Sequence, residues 1–115
     1  MEEQNMNEAL LAAFPELKTE FDNYTSWQDG IKTGAFLTYE DIFLPHIVVA
    51  LKDNETEFLT RAARFIEDCL MQKDGYCTNV IYVGILEGLK AKCDNSKVRE
   101  FLLHEARKEF DKLVY

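Results

Sequence analysis

The stretch Asn79–Leu89, which reads NVIYVGILEGL, constrains the fold more than any other part of the chain. Its only charged residue is Glu87, and a helix built from it would carry apolar side chains on every face. A helix that is apolar all round is typical of a protein interior. Its β-branched residues also favour a strand, but no second segment reads as a strand that would pair with it. We therefore predict a central helix over residues 78–92, begun by Thr78, with the other helices packed against it.

Helical periodicity recurs along most of the chain, and short breaks separate the periodic segments. The pattern predicts five or six helices, at about residues 4–13, 15–24, 38–52, 55–72, 78–92 and 97–114. Pro15 suits the first position of the second helix. Thr38, Asn54 and Ser96 are predicted N-terminal caps, because their side chains accept hydrogen bonds from the first free N–H groups of a helix. Gly75 is predicted to supply the left-handed residue after the fourth helix.

Three residues add local constraints to this pattern. Pro45 falls inside the third segment and should kink that helix, unless the helix begins nearer Phe43 and places the proline in its first turn. Gly84 and Gly88 stand four residues apart, on one face of the predicted central helix. Glycine is costly in a helix interior. We therefore expect this pair to allow a neighbouring backbone to approach closely.

The length of 115 residues fits one domain, residues 1–115, of the all-α class. Two architectures remain open. One stacks antiparallel helix pairs side by side, as in helical-repeat proteins of the HEAT and ARM type, and the other is a compact orthogonal bundle. The sequence shows no clear repeat at the periods of known helical repeats, so it does not decide between them.

The charge is unevenly distributed along the chain. Residues 1–57 carry 12 acidic and 3 basic side chains, whereas residues 58–115 carry 9 acidic and 10 basic ones, for a net charge of −8. An acidic surface repels phosphate, so we expect neither nucleic acid nor a membrane as partner. A basic protein would be steered toward the N-terminal half.

The remaining compositional signals concern the compartment. The chain begins without the basic segment of a signal peptide, and no run of about 18 apolar residues predicts a membrane span. The three cysteines form an odd set without a Cys-x-x-Cys motif, which favours a reducing cytoplasm over a disulfide framework.

The sequence offers no catalytic, cofactor or metal constellation. His46 and His104 lack the spacing of metal ligands. Cys69 reads as a core residue and Cys93 as an exposed residue at a helix end. Cys77 lies at a helix start, where the helix dipole lowers a thiol pKa, and is therefore the most reactive candidate.

Glu67 and Glu87 each lie in a strongly apolar stretch. Facing carboxylates on adjacent helices would serve as acid and base or bind a divalent metal. The simpler interpretation is a pair of local ion pairs, with Arg64 three residues before Glu67 and Lys90 three residues after Glu87.

Residues 25–37 form the longest break in the helical pattern, yet they contain large apolar side chains. We favour a loop that folds back on the domain over one that presents a contact surface, and both remain open. If a partner binds here, its contacts come from the loop and the acidic residues that follow it. These candidate partner-binding residues are Trp27, Phe36, Tyr39, Glu40, Asp41, Asp53 and Glu55.

Four motifs resemble the landmarks of a small, uncharacterised bacterial family of all-helical domains of unknown function. They are FPEL at Phe14–Leu17, EDIFLP at Glu40–Pro45, FIED at Phe65–Asp68 and NVIYVGILEGL at Asn79–Leu89. Members of that family are similar to proteins found near toxin and immunity loci. The resemblance implies an interaction role by association only, and no catalytic residues.

Three hypotheses follow. The first is a non-enzymatic protein-binding module, for example of the immunity type, whose acidic N-terminal half binds a basic partner. The second is a structural protein that self-associates, for example as a homodimer, through an amphipathic helix face. The third is an enzyme with a carboxylate site formed by Glu67 and Glu87.

Overall fold

The computed structural model describes residues 2–113, and these residues form seven helices and no strand. The helices are α1 (Glu3–Ala13), α2 (residues 15–25), α3 (residues 35–53), α4 (Thr56–Met71), α5 (residues 75–92), α6 (Asn95–Phe101) and α7 (His104–Asp111). The all-α prediction is confirmed. The count exceeds five or six because the segment predicted as one last helix forms α6 and α7. Val114, the predicted end of that helix, lies outside the described residues.

The central position predicted for α5 agrees with its packing, since α5 contacts α3, α4, α6 and α7. α1 packs against the first turns of α3 and against the segment between α2 and α3. The described residues measure 36 × 31 × 24 Å along their principal axes. Because these three lengths are similar, the shape favours a compact bundle over an extended stack of helix pairs.

Aromatic side chains from three parts of the chain fill the core between α2, α3 and α4. The ring of Phe14, just before α2, lies 4.9 Å from the ring of Phe43, 5.2 Å from that of Phe58 and 5.7 Å from that of Phe65. Arg61 covers this cluster, with its guanidinium 5.1 Å from the centre of the Phe14 ring. Because tilted and edge-on rings attract beyond their buried area, these contacts hold α2 against α4.

Pro45 lies inside α3, and the helix continues through it. A wider π turn at Tyr39–Phe43 directly precedes this position, with the Leu44 N–H donating to the Tyr39 carbonyl oxygen. A proline in a helix lacks an N–H and its ring clashes with the carbonyl four residues earlier. The π turn enlarges the backbone ring there, so α3 runs from Ala35 to Asp53. The regular α-helical part begins at Leu44 and has Pro45 in its first turn, as the alternative predicted, while the helical backbone extends through the π turn back to Ala35.

α5 contains a second π turn, at Tyr82–Leu86, which packs against the π turn of α3. The two glycines lie at this crossing. A Cβ built on Gly84 would be 3.4 Å from Tyr39 Cβ, and one built on Gly88 would overlap Leu44 Cδ2. The predicted close approach of a neighbouring backbone is found at Gly84, whose Cβ would lie 3.8 Å from the Phe36 carbonyl oxygen, whereas the Leu44 side chain is the neighbour at Gly88.

Gly88→Ala should lower the free energy of unfolding by about 1–2 kcal/mol, because the added methyl displaces the fully packed Leu44 side chain. This is the net loss, after the gain of about 1 kcal/mol that alanine brings through its higher helix propensity. Gly84→Ala is the matched control: its methyl makes ordinary contact, so the same gain in helix propensity should raise the free energy of unfolding by up to about 1 kcal/mol. Urea unfolding of both variants checks this, and equal stabilities would contradict it.

Several helix ends differ from their predictions. Asn54 is left-handed, with φ of 57°, and ends α3 instead of capping α4. Lys73, with φ of 59°, takes the left-handed position after α4 that was predicted for Gly75. Asp74 caps α5 in place of Thr78, as its carboxylate accepts from the Cys77 N–H at 2.9 Å. Thr38 lies within α3 and is not a cap.

The C-terminal segment turns a corner at Leu102, whose backbone is extended. Asp94, not Ser96, caps α6. Both oxygens of Glu67, from the middle of α4, accept the N–H groups of Glu105 (2.8 Å) and Ala106 (3.0 Å) in the first turn of α7. Arg107 donates to the Leu102 carbonyl oxygen at 2.9 Å. Side chains thus satisfy the groups that the helix break leaves open.

Candidate functional site

Trp27 is the most exposed large apolar side chain among the described residues, at 92%. It lies in the turn after α2, where the Gln28 N–H donates to the Thr25 carbonyl oxygen at 3.0 Å. Large aromatic side chains are normally covered when a domain of this size has a core. An exposed tryptophan therefore indicates a contact surface.

The rest of the segment between α2 and α3 is folded back on α1, as the apolar content of residues 25–37 predicts. The fully buried Asn7 donates from Nδ2 to the carbonyl oxygens of Ile31 (2.9 Å) and Thr33 (2.8 Å). Its Oδ1 accepts from Thr38 Oγ1 at 2.7 Å. The segment that carries Trp27 is thus fixed to the domain at its C-terminal end, while the indole itself points to solvent.

The end of α2, which precedes Trp27, is joined to the beginning of α3 by a side-chain hydrogen bond. The Tyr24 hydroxyl, one turn before Trp27, donates to Asp41 Oδ2, and this hydrogen bond raises the pKa of Tyr24. Leu37, which is 45% exposed, stands four residues before Asp41, and Glu40 is also exposed. We call the four exposed residues Trp27, Leu37, Glu40 and Asp41 the Trp27 surface; they lie on the two segments that this hydrogen bond joins.

Two of the predicted contact residues do not belong to this surface. The Tyr39 side chain is fully buried, and its hydroxyl donates to the Met6 carbonyl oxygen at 2.7 Å. Phe36 is partly buried, with its ring 5.7 Å from that of Tyr76. The sequence placed both on a contact surface because Phe36 lies in the predicted loop and Tyr39 directly after it, but α3 begins at Ala35 and turns them toward the core.

Asp53 and Glu55 are exposed but lie at the other end of α3. Thirteen residues separate Glu40 from Asp53, which corresponds to about 20 Å along a helix. The structure therefore divides the predicted acidic residues into two groups, and Glu40 and Asp41 are the pair at the end of α3 that is joined to the end of α2.

The structure does not support the carboxylate-pair hypothesis. Both oxygens of Glu67 bind backbone N–H groups of α7. The ion pairs predicted for Glu67 with Arg64 and for Glu87 with Lys90 are not formed within residues 2–113. Lys90 Nζ lies instead 4.7 Å from the centre of the Phe110 ring. Within the same residues, no group of three His, Cys, Asp or Glu side chains is placed to hold a metal ion.

The three thiols are free. Cys77 is fully buried in the first turn of α5, and its Sγ lies 3.4 Å from the Cys69 carbonyl oxygen. The neighbouring Cys69 thiol lowers the pKa of Cys77, and the Cys77 thiol together with burial raises the pKa of Cys69. Cys77 thus shifts in the predicted direction, but its neighbour Cys69 is the main cause. Burial raises the pKa of Cys93, which is only partly exposed.

The described residues define a small all-helical domain. The chain matches, over residues 7–115, the model of a family described as Domain of unknown function (DUF7674), and it belongs to that family. The resemblance to an uncharacterised all-helical family is thereby confirmed. No curated protein and no solved structure matches the chain. None of the helices in residues 2–113 has the length and apolar character that crossing a membrane requires.

Proposed function

We propose that this protein is a non-enzymatic protein-binding module and that it binds a basic partner protein through the Trp27 surface. The observation that carries the proposal is the 92% exposure of Trp27 on a segment whose other end is held by buried hydrogen bonds. An aromatic side chain has only two χ angles and therefore loses little conformational entropy for the contact area that it supplies on binding.

Charge complementarity supports the choice of a basic partner. Glu40 and Asp41 lie on the segment that the Tyr24–Asp41 hydrogen bond joins to the end of α2, and residues 1–57 carry 12 acidic against 3 basic side chains. The negative electrostatic potential of this half of the chain accelerates the approach of a positively charged protein and disfavours the approach of an acidic one. The apolar centre would then be desolvated by the partner, while the carboxylates pair with lysine or arginine at the rim.

We place this role in the bacterial cytoplasm, and its specific form would be an immunity-type protein that masks a basic toxin. Three free thiols fit a reducing compartment. Masking requires a fixed surface with an exposed anchor, and the Trp27 surface has this character.

The test is affinity capture of basic proteins from lysate of the source organism, by the tagged wild-type protein and by variants. A captured basic protein is then purified, and its affinity is measured by calorimetry at about 0.1 M and about 0.5 M salt. Trp27→Ala should weaken binding at least about tenfold, because it removes the aromatic anchor. The double variant Glu40→Lys with Asp41→Asn should also weaken binding, and most strongly at low salt.

The matched control is Asp53→Lys with Glu55→Gln, which changes the charge by the same amount at the other end of α3. This variant should keep most of the affinity. Equal losses in both double variants would show that the overall charge acts instead of the Trp27 surface. Unchanged binding by Trp27→Ala would refute the proposal, and so would a strict homodimer that captures no partner.

A further inference from the structure

A groove of about 460 Å³ lies between α4 and α6, away from the Trp27 surface. Its apolar lining comes from the end of α3, the first half of α4 and the α6–α7 corner, and consists mainly of Leu51, Leu59, Phe101 and Leu103. Leu103 is 40% exposed. Small-molecule sites in proteins are concave, mostly apolar and of about 300–1,000 Å³. The groove has the dimensions of such a site.

Each wall of the groove supplies one cation. Arg64 comes from α4 and Lys97 from α6, and within residues 2–113 neither charged group has an ion pair or hydrogen bond. Glu100 is the only acidic residue among the lining residues. The lining therefore carries two positive charges and one negative charge, in a chain whose net charge is −8. A local excess of positive charge next to apolar side chains favours a ligand with an anionic head and an apolar body.

We propose that this groove binds an aliphatic monocarboxylate, an acid of the medium-chain fatty acid class. The carboxylate is held by Arg64 and Lys97, and the alkyl chain lies along Leu51 and Leu59. Thr56 and Arg64 both line the α4 wall, eight residues apart, so this wall is about 12 Å long. The exposed Asp53 and Glu55 flank Asn54 at the opposite end from Arg64, and they direct the anionic head away from that end.

The charges also discriminate between alternative occupants. A net lining charge of one suits a single carboxylate better than a dianion, whose second charge would face Glu100. A second copy of this chain or an acidic peptide would bring many carboxylates toward an already acidic protein. An alkyl carboxylate adds only one negative charge and buries its chain, which is the contribution that grows with length.

The experiment is isothermal titration of the full chain with octanoate, decanoate and dodecanoate below their micelle concentrations. Affinity should rise by roughly threefold for each added methylene, as expected for an alkyl chain that leaves water. Decanol, with the same chain length and no charge, should bind at least about tenfold more weakly than decanoate, because it forms no charge-assisted hydrogen bond. Equal binding of decanol would overturn the assignment of the two cations.

Two variants test the groove itself. Arg64→Gln with Lys97→Gln should weaken decanoate binding about tenfold or more, whereas Lys32→Gln with Lys92→Gln makes the same charge change outside the groove and should not. Leu103→Ser removes an apolar wall at the position before α7, where serine is a favourable cap, so this variant should fold and bind more weakly. The proposal would be overturned if the wild type shows no saturable binding or if all variants bind equally. A second copy of the chain that fills the groove would produce the first of these results.

Discussion

Replacing Asn7 by alanine should lower the free energy of unfolding by about 3–4 kcal/mol. Asn7 is fully buried and makes three hydrogen bonds, two to the carbonyl oxygens of Ile31 and Thr33 and one from the hydroxyl of Thr38. The alanine variant leaves the carbonyl oxygens of Ile31 and Thr33 without this partner, and each such group costs about 1–3 kcal/mol when no water reaches it. The Thr38 hydroxyl keeps its hydrogen bond to the Ala35 carbonyl oxygen. Part of this cost is recovered if water enters the small space left by the amide. Urea unfolding measures the change.

The neighbouring residues supply the controls for this prediction. Thr38→Val should cost less than Asn7→Ala, because it removes only one of the three bonds. The double variant should be less destabilised than the sum of the two single variants, since both remove the same bond. Asn23→Ala, at an exposed site on α2, should change stability by less than about 0.5 kcal/mol. A loss for Asn7→Ala as small as that of Asn23→Ala would show that the network contributes little.

The same change tests whether the Trp27 surface depends on an anchored segment. Without Asn7, the segment before α3 loses the bonds that join it to α1. Hydrogen exchange around Trp27 should then become faster in the variant, even under conditions where most molecules remain folded. Binding of a basic partner should weaken as well, because the tryptophan would have to be ordered on binding.

The importance of Asn7 was not visible in the sequence, although one signal existed. Asn7 lies between Met6 and Leu10 on the buried side of α1, so a polar side chain interrupts an apolar face. Such an interruption indicates a buried hydrogen-bonded residue, but it does not identify the partners. These partners lie 24, 26 and 31 residues further along the chain, at distances where only the folded structure defines the contact.

Apolar periodicity and small residues gave correct predictions for the long elements, because both signals act locally. α4 and α5 agree with their predicted spans to within about three residues, as expected for helix boundaries. The close approach at Gly84 and Gly88 was also predictable, since two glycines on one helix face leave a shallow surface that a neighbouring helix can reach. The π turns were not predicted, as they depend on how α3 and α5 cross.

Helix ends were less predictable because several neighbouring residues compete for each capping position. Asp94 and Ser96 are both good N-caps, and the structure uses Asp94. Asn54 is favoured both as an N-cap and as a left-handed residue after a helix, and the structure uses the second property. The break between α6 and α7 had no local signal at all, since Glu67 on α4 stabilises it from a distance.

The acidic N-terminal half was evident from composition, but its arrangement was not. Glu40 lies near the start of the helix predicted over about residues 38–52, and Asp53 directly follows its end. The length of this predicted helix already implies that the two residues are far apart. Which of them accompanies Trp27 depends on the hydrogen bond between Tyr24 and Asp41, which joins α2 to the beginning of α3. The Trp27 surface is thus a consequence of tertiary structure.

Replacing Glu67 by alanine should lower the free energy of unfolding by about 2–3 kcal/mol. The two carboxylate oxygens accept the N–H groups of Glu105 and Ala106, and hydrogen bonds to a charged group are worth about 1.5–3 kcal/mol each in favourable cases. The carboxylate also lies at the positive end of the α7 dipole. The expected loss is smaller than the sum of both bonds because Glu67 is only partly buried, so water replaces part of the loss. Glu67→Gln keeps one acceptor oxygen and should lose about 1 kcal/mol.

Glu87→Ala is the matched control, because Glu87 is also a partly buried glutamate in an apolar helix, on α5. It should cost less than about 0.5 kcal/mol, since within residues 2–113 its carboxylate accepts no hydrogen bond.

The capping role also predicts where the structure loosens. In Glu67→Ala, the amides of Glu105 and Ala106 should exchange faster with solvent, and the effect should spread along α7 before it reaches α5. A variant that combines both alanines distinguishes the cap from a facing carboxylate pair. Independent roles give additive losses to within about 0.5 kcal/mol, whereas two facing carboxylates repel each other, so removing one would relieve the other and the losses would not add.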